Sequence, residues 1–485
     1  MNRREFSSTM VMLGAGVHAA TAQGASSDKS AAYYQEPARK LPVKQCDVVV
    51  AGGGTAGVVT ALASARQGAK TVLIEKKGYP GGTVTEGGTA LHSFYNLWKA
   101  FPNAKKRQVV KGIAQEIIDR LAKVGATTGH AEMTKGFNYD SMCTAIDTEM
   151  YKLVTFEMLV ESGVHVCVGT MLVDAIRDGS RIKGVIAESR SGREAIFAGS
   201  FVDCTAIGDL AARAGAEYTE PNDYSVANSI GVANVSVEKY HEFLKSSGAL
   251  KEYSEGMRSG KPGKIVRLHA NGRKLPAEFR AAAGKIGMSV VITTVHDDYF
   301  MFIKLNCRIP GKPTDRDAVT RTELELRKRQ AKAIQVLRKF VPGCEKAFIA
   351  RTSPTLCIRR GRRIVCDYDI THEDVIGGRH FADDIMVYGF HDSAPRYQIA
   401  NGGTYGIPYK ALRAAKIDNL LVAGMMITSD HRAHMSTRNT VCCMGQGQAA
   451  GTAAALCAAK KCAMRDLPYT ELRKALETGG VYFES

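Results

Sequence analysis

Residues 48–57 read Val-Val-Val-Ala-Gly-Gly-Gly-Thr-Ala-Gly, so a short apolar run leads into a glycine-rich turn. The β-branched run predicts a buried strand, and the small, apolar residues 58–67 predict a helix directly after the turn. Gly52-x-Gly54-x-x-Gly57 has the spacing of a dinucleotide-binding motif. The first glycine allows the tight turn, the second lets a pyrophosphate approach the backbone, and the third lets helix and strand pack closely.

An acidic residue follows where this motif needs one. Residues 71–74 predict a second strand that ends at Glu75, 18 positions beyond the last glycine of the motif. Such a carboxylate accepts a hydrogen bond from an adenosine ribose, and its charge disfavours a 2′-phosphate. This unit therefore predicts a Rossmann-type dinucleotide site, but by itself it does not choose between FAD and NAD.

Three further segments bear on that choice. They are Pro80-Gly81-Gly82-Thr83, the turn at residues 203–209, and the run at residues 420–424 that precedes an alanine-rich helix predicted at residues 445–459. Together with the first turn they resemble the FAD-dependent oxidoreductases of the glutathione-reductase-like superfamily, and most closely a broad bacterial group of that name. Some relatives are the flavin-bearing subunit of heterodisulfide reductases, whose ferredoxin-type cysteine clusters are absent from this sequence.

The resemblance covers residues 48 to about 88, 147–217 and 358–459, and it is loose between about 220 and 350. It implies an α/β fold in which a Rossmann-type FAD-binding domain, with a parallel sheet and a β-meander, is interleaved with an α+β substrate domain. The expected domains are residues 45–219 (FAD-binding, first part), 220–350 (substrate or cap domain) and 351–485 (FAD-binding, C-terminal part).

The resemblance also implies a set of FAD contacts. The first turn would hold the ADP half, the later turns would pass beside the flavin and its ribityl chain, and the last helix would direct its positive end toward the flavin. In chain order, the expected cofactor-binding residues are Gly52, Gly54, Thr55, Gly57, Glu75, Lys76, Gly81, Gly82, Thr83, Thr205, Gly208, Asp209, Ala423, Gly424, Gly445, Gly447 and Gln448.

The sequence departs from the family pattern near the expected substrate site. Met425 stands where the family usually has an arginine after the Ala-Gly pair. Arg359 and Arg362 match the ends of a common Arg-Glu-Thr-Arg pattern, but Arg360 and Gly361 replace its acid and threonine. Substrate handling is therefore expected to differ from that of better-known relatives.

Histidines and arginines are the candidates for the chemistry. A histidine near its ordinary pKa can remove a hydroxyl proton, and an arginine can hold a carboxylate or stabilise a reduced flavin. For each of them alone, a structural role is the commoner one. We expect at least one of the three histidines in the substrate cavity. The candidates are His391, His431, His434, Arg359, Arg362 and Arg438.

Residues 1–22 resemble a twin-arginine export signal, with Arg3-Arg4, a mildly apolar run and a small-x-small cleavage site after Ala22. The alternative is a disordered basic N-terminus of a cytosolic protein. Residues 23–44 are polar and contain two prolines, which predicts a linker. No segment has the apolar length of a transmembrane helix. The sequence thus predicts a periplasmic or other extracytoplasmic location.

The charge distribution and the cysteine spacing argue against nucleic acid and metal ions as binding partners. The formal net charge is +17, but the basic residues are scattered and no recognisable nucleic-acid motif accompanies them, so nucleic acid is not an expected partner. The twelve cysteines contain no C-x-x-C pair or zinc-type ladder, and no metal site is expected. For Cys442 and Cys443 we favour packing over a redox dithiol.

These observations predict an exported dehydrogenase that moves hydride from a small anionic or sugar-like substrate onto FAD, with an unknown electron acceptor. Two alternatives stay open. One is a reductase fed by a membrane or cytochrome donor, and the other is a non-catalytic flavin-holding binding protein.

Overall fold

The computed structural model describes residues 34–87, 92–137, 140–289 and 291–484. The chain divides into two units, Met1–Lys40 and Leu41–Ser485. In the described part of the first unit, Arg39 Nη2 donates to Glu36 Oε1 over 3.0 Å. The predicted export signal at residues 1–22 lies outside the described residues, as does the first part of the predicted linker. The second unit carries the elements that follow.

The strands take their labels in chain order. They are β1 Val43–Gln45, β2 Val48–Ala51, β3 Thr71–Ile74, β4 Ala131–Lys135, β5 Met142–Cys143, β6 His165–Cys167, β7 Met171–Asp178, β8 Arg181–Ser189, β9 Gly192–Phe197, β10 Ser200–Asp203, β11 Tyr218–Thr219, β12 Val226–Ala233, β13 Leu250–Arg258, β14 Lys261–Ala270, β15 Val291–Thr293, β16 Tyr299–Cys307, β17 Phe348–Thr352, β18 Arg363–Ile364, β19 Asp384–Tyr388, β20 Tyr405–Pro408 and β21 Leu420–Val422.

The α-helices are labelled in the same way. They are α1 Thr55–Arg66, α2 Thr83–Gly87, α3 Ile113–Lys123, α4 Thr148–Glu161, α5 Asp209–Arg213, α6 Val237–Ser246, α7 Ala277–Lys285, α8 Arg316–Phe340, α9 His372–Ile376, α10 Ala400–Gly403, α11 His434–Thr437, α12 Thr440–Lys460 and α13 Tyr469–Thr478. At 25 residues, α8 is the longest of them. Among the described residues, no helix has the combination of length and apolar character that crossing a bilayer requires.

A five-stranded parallel sheet is the centre of the fold, with the order β21-β10-β2-β3-β6. Every residue of β2, β3, β10 and β21 is buried, as expected for parallel strands covered on both faces. Because the strands are parallel, their carboxyl ends meet at one edge. The predicted α/β fold with a parallel sheet is confirmed, and this edge places the predicted turns beside one another.

A four-stranded sheet, β1-β9-β8-β7, forms the predicted meander. The chain leaves the meander after Phe197 and enters the parallel sheet at Ser200. β9 pairs with β8 in the meander, whereas β10 pairs with β2 and β21 in the parallel sheet. Asn419 Nδ2 donates to the Gly199 carbonyl over 2.9 Å and fastens the link between them.

Residues between 226 and 356 contribute a second hydrophobic cluster, separate from the one around the parallel sheet. Two antiparallel sheets run through this part of the chain, β16-β12-β17 and β15-β14-β13-β4-β5. The second sheet also takes in β4 and β5, which precede the expected cap domain in sequence. The exact boundaries proposed for the interleaved domain stay a prediction.

Helix α12 packs along α1 through small residues. A Cβ on Gly447 would overlap the carbonyl oxygen of Ala56, and one on Gly451 would overlap that of Thr60. The helix begins at Thr440, five residues before the predicted start, because Asn439 caps it by accepting a hydrogen bond from the Val441 N–H over 3.4 Å. The predicted start near residue 445 was therefore wrong.

We expect Gly451→Ala to lower the melting temperature of the protein, because the added methyl group cannot fit between the two helix backbones. Overpacking of this kind costs about 1–3 kcal/mol. Thermal unfolding followed by circular dichroism is the measurement. Gly284→Ala in α7 is the matched control, since a Cβ there meets nothing within 4 Å and alanine favours a helix by ~1 kcal/mol. Equal melting temperatures for the two variants would contradict the packing argument.

Candidate active site

Two adjoining cavities lie at the carboxyl edge of the parallel sheet. Their volumes are about 480 Å³ and about 180 Å³, and Gly54, Gly82 and Cys204 line both. The residues that follow β2, β3, β10 and β21 line them, as the fold rule for open α/β sheets predicts. The predicted site residues that line one or both cavities are Gly52, Gly54, Thr55, Glu75, Lys76, Gly82, Thr83, Thr205, Asp209, Arg359, Ala423, Gly424 and Arg438.

The glycine turn is fixed by close backbone contacts. Gly52 has a φ of +92°, and a Cβ there would lie 2.6 Å from the Cys204 carbonyl oxygen. A Cβ on Gly57 would overlap the carbonyl oxygen of Gly52, so the third glycine lets α1 start directly behind the turn. Gly54 precedes the first residue of α1 and lines both cavities. A backbone of this shape leaves room for a pyrophosphate at the helix N-terminus.

Glu75 lies between the glycine turn and the smaller cavity. Its carboxylate accepts hydrogen bonds from the Gly53 N–H and the Lys77 N–H, each over 2.8 Å. It is buried and, like Lys76, lines the smaller cavity. The carboxylate therefore fixes the turn while keeping acceptor capacity at the end of the site where an adenosine ribose is expected.

The loop at residues 81–83 is attached to the same turn. Gly81 N–H donates to the Gly53 carbonyl over 2.8 Å, and Thr55 Oγ1 donates to the Gly81 carbonyl over 3.1 Å. Gly82 has a φ of +53°, and a Cβ there would approach the Gly54 Cα within 2.6 Å. Gly81 itself does not line either cavity, so its part is to hold the loop against the turn.

The second turn, after β10, is organised by Asp203. This buried carboxylate accepts from the Thr205 N–H and Oγ1 over 2.9 and 2.7 Å, and from the Ala211 N–H over 2.8 Å. Burial raises its pKa to about 6, although the same hydrogen bonds act to lower it. Asp209 N–H donates in turn to Thr205 Oγ1 over 2.7 Å. Gly208 caps α5 with a φ of +68° and lies behind the cavity wall.

The third turn and the start of α12 complete this wall. Ala423 and Gly424 line the larger cavity, and Gly424 has a φ of +112°. Asn439 and Thr440, where α12 begins, line the same cavity. The N-terminus of a helix of this length carries partial positive charge. A group that gains negative charge on reduction is therefore stabilised at this wall.

The residues present fit FAD. Glycines with no space for a Cβ form the turn, Glu75 is placed for the ribose, and the helix starts of α1 and α12 offer positive charge to the pyrophosphate and the flavin, respectively. A model of the FAD dependent oxidoreductase family matches residues 47–476.

The chain belongs to the FAD-dependent oxidoreductase family. It is therefore a flavin enzyme with FAD as its cofactor, and the non-catalytic alternative is set aside. Among curated proteins, no relative matched the sequence.

Several solved structures are similar to this chain at low identity. A geranylgeranyl bacteriochlorophyll reductase-like protein from Thermoplasma acidophilum is 12% identical, over 90% of this chain and 83% of that chain, with a TM-score of 0.45. A myxobacterial chondrochloren halogenase is 11% identical, over 90% and 78%, with a TM-score of 0.48. The p-nitrophenol 4-monooxygenase of Pseudomonas putida DLL-E4 is 10% identical, over 91% and 89%, with a TM-score of 0.42. At this level the similarities do not bear on substrate.

The rest of the lining of the larger cavity includes six charged side chains, which we call the cationic wall. Four cations line it, and two carboxylates accompany them. Arg438 is paired with Asp392. Within the described part of the chain, Arg359 donates only to neutral partners, the Ser225 carbonyl and the Asn306 side chain, each over 3.1 Å. The six residues are Asp140, Arg267, Lys304, Arg359, Asp392 and Arg438.

The three predicted histidines do not line either cavity, so the expectation of a cavity histidine is corrected. His391 is fully buried, with one ring nitrogen 3.2 Å from the Arg432 carbonyl and the other accepting from the Ser393 N–H. His434 is buried, its Nε2 lies 3.0 Å from the Arg359 carbonyl, and burial lowers its pKa well below the ordinary value. His431 lies at the surface and pairs with Asp223 over 2.7 Å. Each ring supports backbone or surface structure.

Four other predicted residues also lie away from the cavities. Arg362 donates to Asp209 and to the Ile207 carbonyl, over 2.9 and 3.1 Å, and thus holds the second turn. Gly445 packs against Met386 and Gly447 against α1. Gln448 accepts from the Ile113 N–H over 3.0 Å and donates to the Gly479 carbonyl over 2.8 Å. The sequence predicted that Gly445, Gly447 and Gln448 would lie at the helix start that faces the flavin. Asn439 and Thr440 hold that position instead.

Sequence reasoning missed Asp140, Arg267 and Lys304, which reach the cavity from loop and strand positions far apart in the chain. Arg267 lies in β14 and Lys304 in β16. Arg267 stands between the buried residues Val266 and Leu268, and Lys304 stands between the buried residues Ile303 and Leu305. A charged residue between two apolar neighbours was the available signal. Asp203, at the carboxyl end of a fully buried strand, carried a similar signal.

We expect Glu75→Ala to weaken FAD binding by about tenfold or more, because hydrogen bonds to a charged group contribute roughly 1.5–3 kcal/mol and each 1.4 kcal/mol is about tenfold. Reconstitution of the deflavinated protein, followed by flavin fluorescence, gives the dissociation constant. Glu471→Ala removes an equal charge from a surface ion pair with Lys460 and is the control. An unchanged dissociation constant in Glu75→Ala would show that this carboxylate does not support the cofactor.

Proposed function

We propose that the protein is an exported FAD-dependent dehydrogenase that oxidises a small anionic substrate. The observation that carries this proposal is the cationic wall of the larger cavity, which shares that cavity with the glycine turn, Gly424 and the start of α12. FAD bound there supplies the acceptor for a hydride. The protein residues described below bind and orient the substrate.

Lys304 and Arg359 are the centre of the cationic wall. Both are half-buried, and among the described residues neither forms an ion pair with a carboxylate. Asp392, the acid whose charge acts on Lys304, is already paired with Arg438. Burial and the charge of Arg359 lower the pKa of Lys304 to about 8. Because cations in a dry site are stabilised by an opposite charge, a carboxylate is the ligand that this pair favours.

Apolar side chains line the same cavity as the cations and lower the effective dielectric constant there. Phe302, Phe390 and Met435 line the same cavity. Charge-assisted hydrogen bonds are stronger in such surroundings than in water, so the two cations can orient a small substrate by one anionic group. A sugar acid meets these requirements as well as a shorter organic acid does.

Two wider proposals accompany this one. The three turns at the carboxyl edge of a parallel sheet, together with the meander, support placing the chain in the glutathione-reductase-like superfamily, related to the flavin-bearing part of heterodisulfide reductases. The twin-arginine pattern of residues 1–22 supports export to the periplasm, a route that carries folded, cofactor-loaded proteins.

An anaerobic titration tests the dehydrogenase. We expect a carboxylate-bearing alcohol to bleach the flavin absorbance, and Arg359→Met to raise the concentration needed by about tenfold or more, since a charge-assisted contact is lost. Arg316→Met, at a side chain that is 90% exposed, is the control. Equal bleaching by uncharged alcohols would reject an anionic substrate. Reoxidation of pre-reduced protein by an oxidised acid, without any bleaching, would favour the reductase.

Export is tested by replacing the arginine pair with Arg3→Lys and Arg4→Lys. We expect the full-length protein to move from the periplasmic to the cytoplasmic fraction of a bacterial host that has the twin-arginine system, because that system recognises the arginine pair. Immunoblotting of the two fractions is the measurement. Lys29→Arg, in the polar segment beyond the cleavage site, is the control. An unchanged distribution would indicate that residues 1–22 are not such a signal.

A further inference from the structure

Arg267 is held in a fixed position in the cationic wall. Its Nε and Nη2 both donate to Glu252 Oε2, over 3.0 and 2.6 Å. The pair is buried, with side chains 3% and 1% exposed. Glu252 Oε1 also lies 3.1 Å from His269 Nδ1. Two donors of the guanidinium are thus committed, and a planar fork held at two points cannot turn away from the cavity that it lines.

The remaining nitrogen of Arg267 lacks a partner. Among the described residues, Nη1 is buried and has no hydrogen-bond acceptor. A buried donor without an acceptor costs roughly 1–3 kcal/mol. Since Arg267 lines the larger cavity, a ligand oxygen is the acceptor that would remove this cost. The charge of Arg267 is already balanced by Glu252, so that oxygen need not be anionic.

Asp140 lines the same cavity and is 4% exposed. Ser93 Oγ donates to its Oδ2 over 2.5 Å, and the Met142 N–H donates to its Oδ1 over 3.4 Å. Neither Asp140 nor Arg267 is part of the carboxylate site proposed at Lys304 and Arg359. The cavity therefore contains a cationic part for a carboxylate and a second part that offers one fixed N–H donor and one carboxyl group.

We propose that Arg267 and Asp140 form a second subsite for a hydroxyl or carbonyl oxygen, so that the substrate is a hydroxycarboxylate and its product the matching ketocarboxylate. This inference rests on the proposed function for the place of the carboxylate, at Lys304 and Arg359. Arg267 Nη1 donates to the substrate oxygen, and Asp140 is the catalytic residue that takes its proton. Ser93 is a positioning residue for Asp140.

The step balances in atoms and electrons. The O–H bond of the substrate breaks and its proton passes to the Asp140 carboxylate. The C–H bond at the carbon that bears this hydroxyl group also breaks. Its hydrogen leaves with both electrons as a hydride, which FAD accepts. A carbon–oxygen double bond forms, so the alcohol is oxidised to a carbonyl and the flavin is reduced by two electrons.

Asp140 titrates in the range where this step is easily tested. Burial raises its pKa to about 7, while the hydrogen bonds from Ser93 and Met142 and the charge of Arg267 act to lower it and that of Glu252 to raise it. The other groups coupled to it are Tyr388 of β19 and Cys143 of β5, and burial raises the pKa of each. Below pH 7 the carboxyl group donates to a ketone, and above pH 7 the carboxylate accepts from a hydroxyl.

The test is anaerobic binding of matched acids to the FAD-loaded protein, read from the flavin spectrum by rapid mixing. One set is propionate, lactate and pyruvate, and the other is succinate, malate and oxaloacetate. We expect the hydroxy and keto acids to bind at least about tenfold more tightly than the plain acid in one set or both. The affinity of the hydroxy acid relative to the plain acid should increase as pH rises through 7. The affinity of the keto acid relative to the plain acid should decrease over the same range. Any change in the charge of Lys304 affects all the acids of a set in the same way, so it cancels when their affinities are compared.

Two variants separate the subsite from general damage. Arg267→Lys keeps a cation for Glu252 but loses the free Nη1, and it should remove the advantage while changing the affinity for the plain acid less than about twofold. Asp140→Asn should make the ratios independent of pH, whereas Asp317→Asn, at a side chain 67% exposed, should not. A wild-type ratio near one in both sets, or ratios unchanged by Arg267→Lys, would overturn the subsite.

Bleaching is scored separately from binding. A preference for hydroxy acids without bleaching supports the subsite and rejects the dehydrogenase direction. Bleaching without a preference supports the dehydrogenase and overturns the subsite.

Discussion

The approach of α1 to α12 is the contact on which the rest of the site depends. Their backbones meet where Gly447 and Gly451 lie against the carbonyl oxygens of Ala56 and Thr60. With α1 fixed behind the glycine turn, this contact also fixes the direction of α12 and brings its first residues to the larger cavity. Larger side chains at these glycines would separate the helices. The positive end of α12 would then move away from the wall that holds the cofactor.

The two walls of the cavity achieve specificity by different means. The cofactor wall consists mainly of backbone, held by turns after parallel strands, with few charged side chains. The cationic wall consists of side chains from β14, β16 and the loops around Asp140 and Arg359. Backbone donors suit a phosphate and a flavin, which every relative must bind. Side chains can change without disturbing the sheet, so substrate differences are expected on the second wall.

The sequence predicts the backbone wall of the cavity better than the side-chain wall. The glycine turn, Glu75, the turn at Thr205 and the Ala423-Gly424 pair are local patterns, and their places beside the cavities could be predicted. Asp140, Arg267 and Lys304 have no shared motif, because three different parts of the fold bring them together. The histidines were misjudged because an imidazole serves equally well as a bridge between backbone segments, as His391 does. Sequence spacing does not distinguish a histidine that bridges backbone segments from one that faces a substrate cavity.

The arginine tract at residues 359–363 connects the two walls and explains one departure from the family pattern. Arg359 lines the cavity, whereas Arg362 holds the nucleotide turn through Asp209. Gly361 lies between them, and a Cβ there would come within 2.5 Å of Ile207 in that turn. A threonine at this position would push the tract away from the turn. Glycine therefore keeps Arg359 and the turn at Ile207 in one packed unit, so the unusual residue maintains the cavity rather than weakening it.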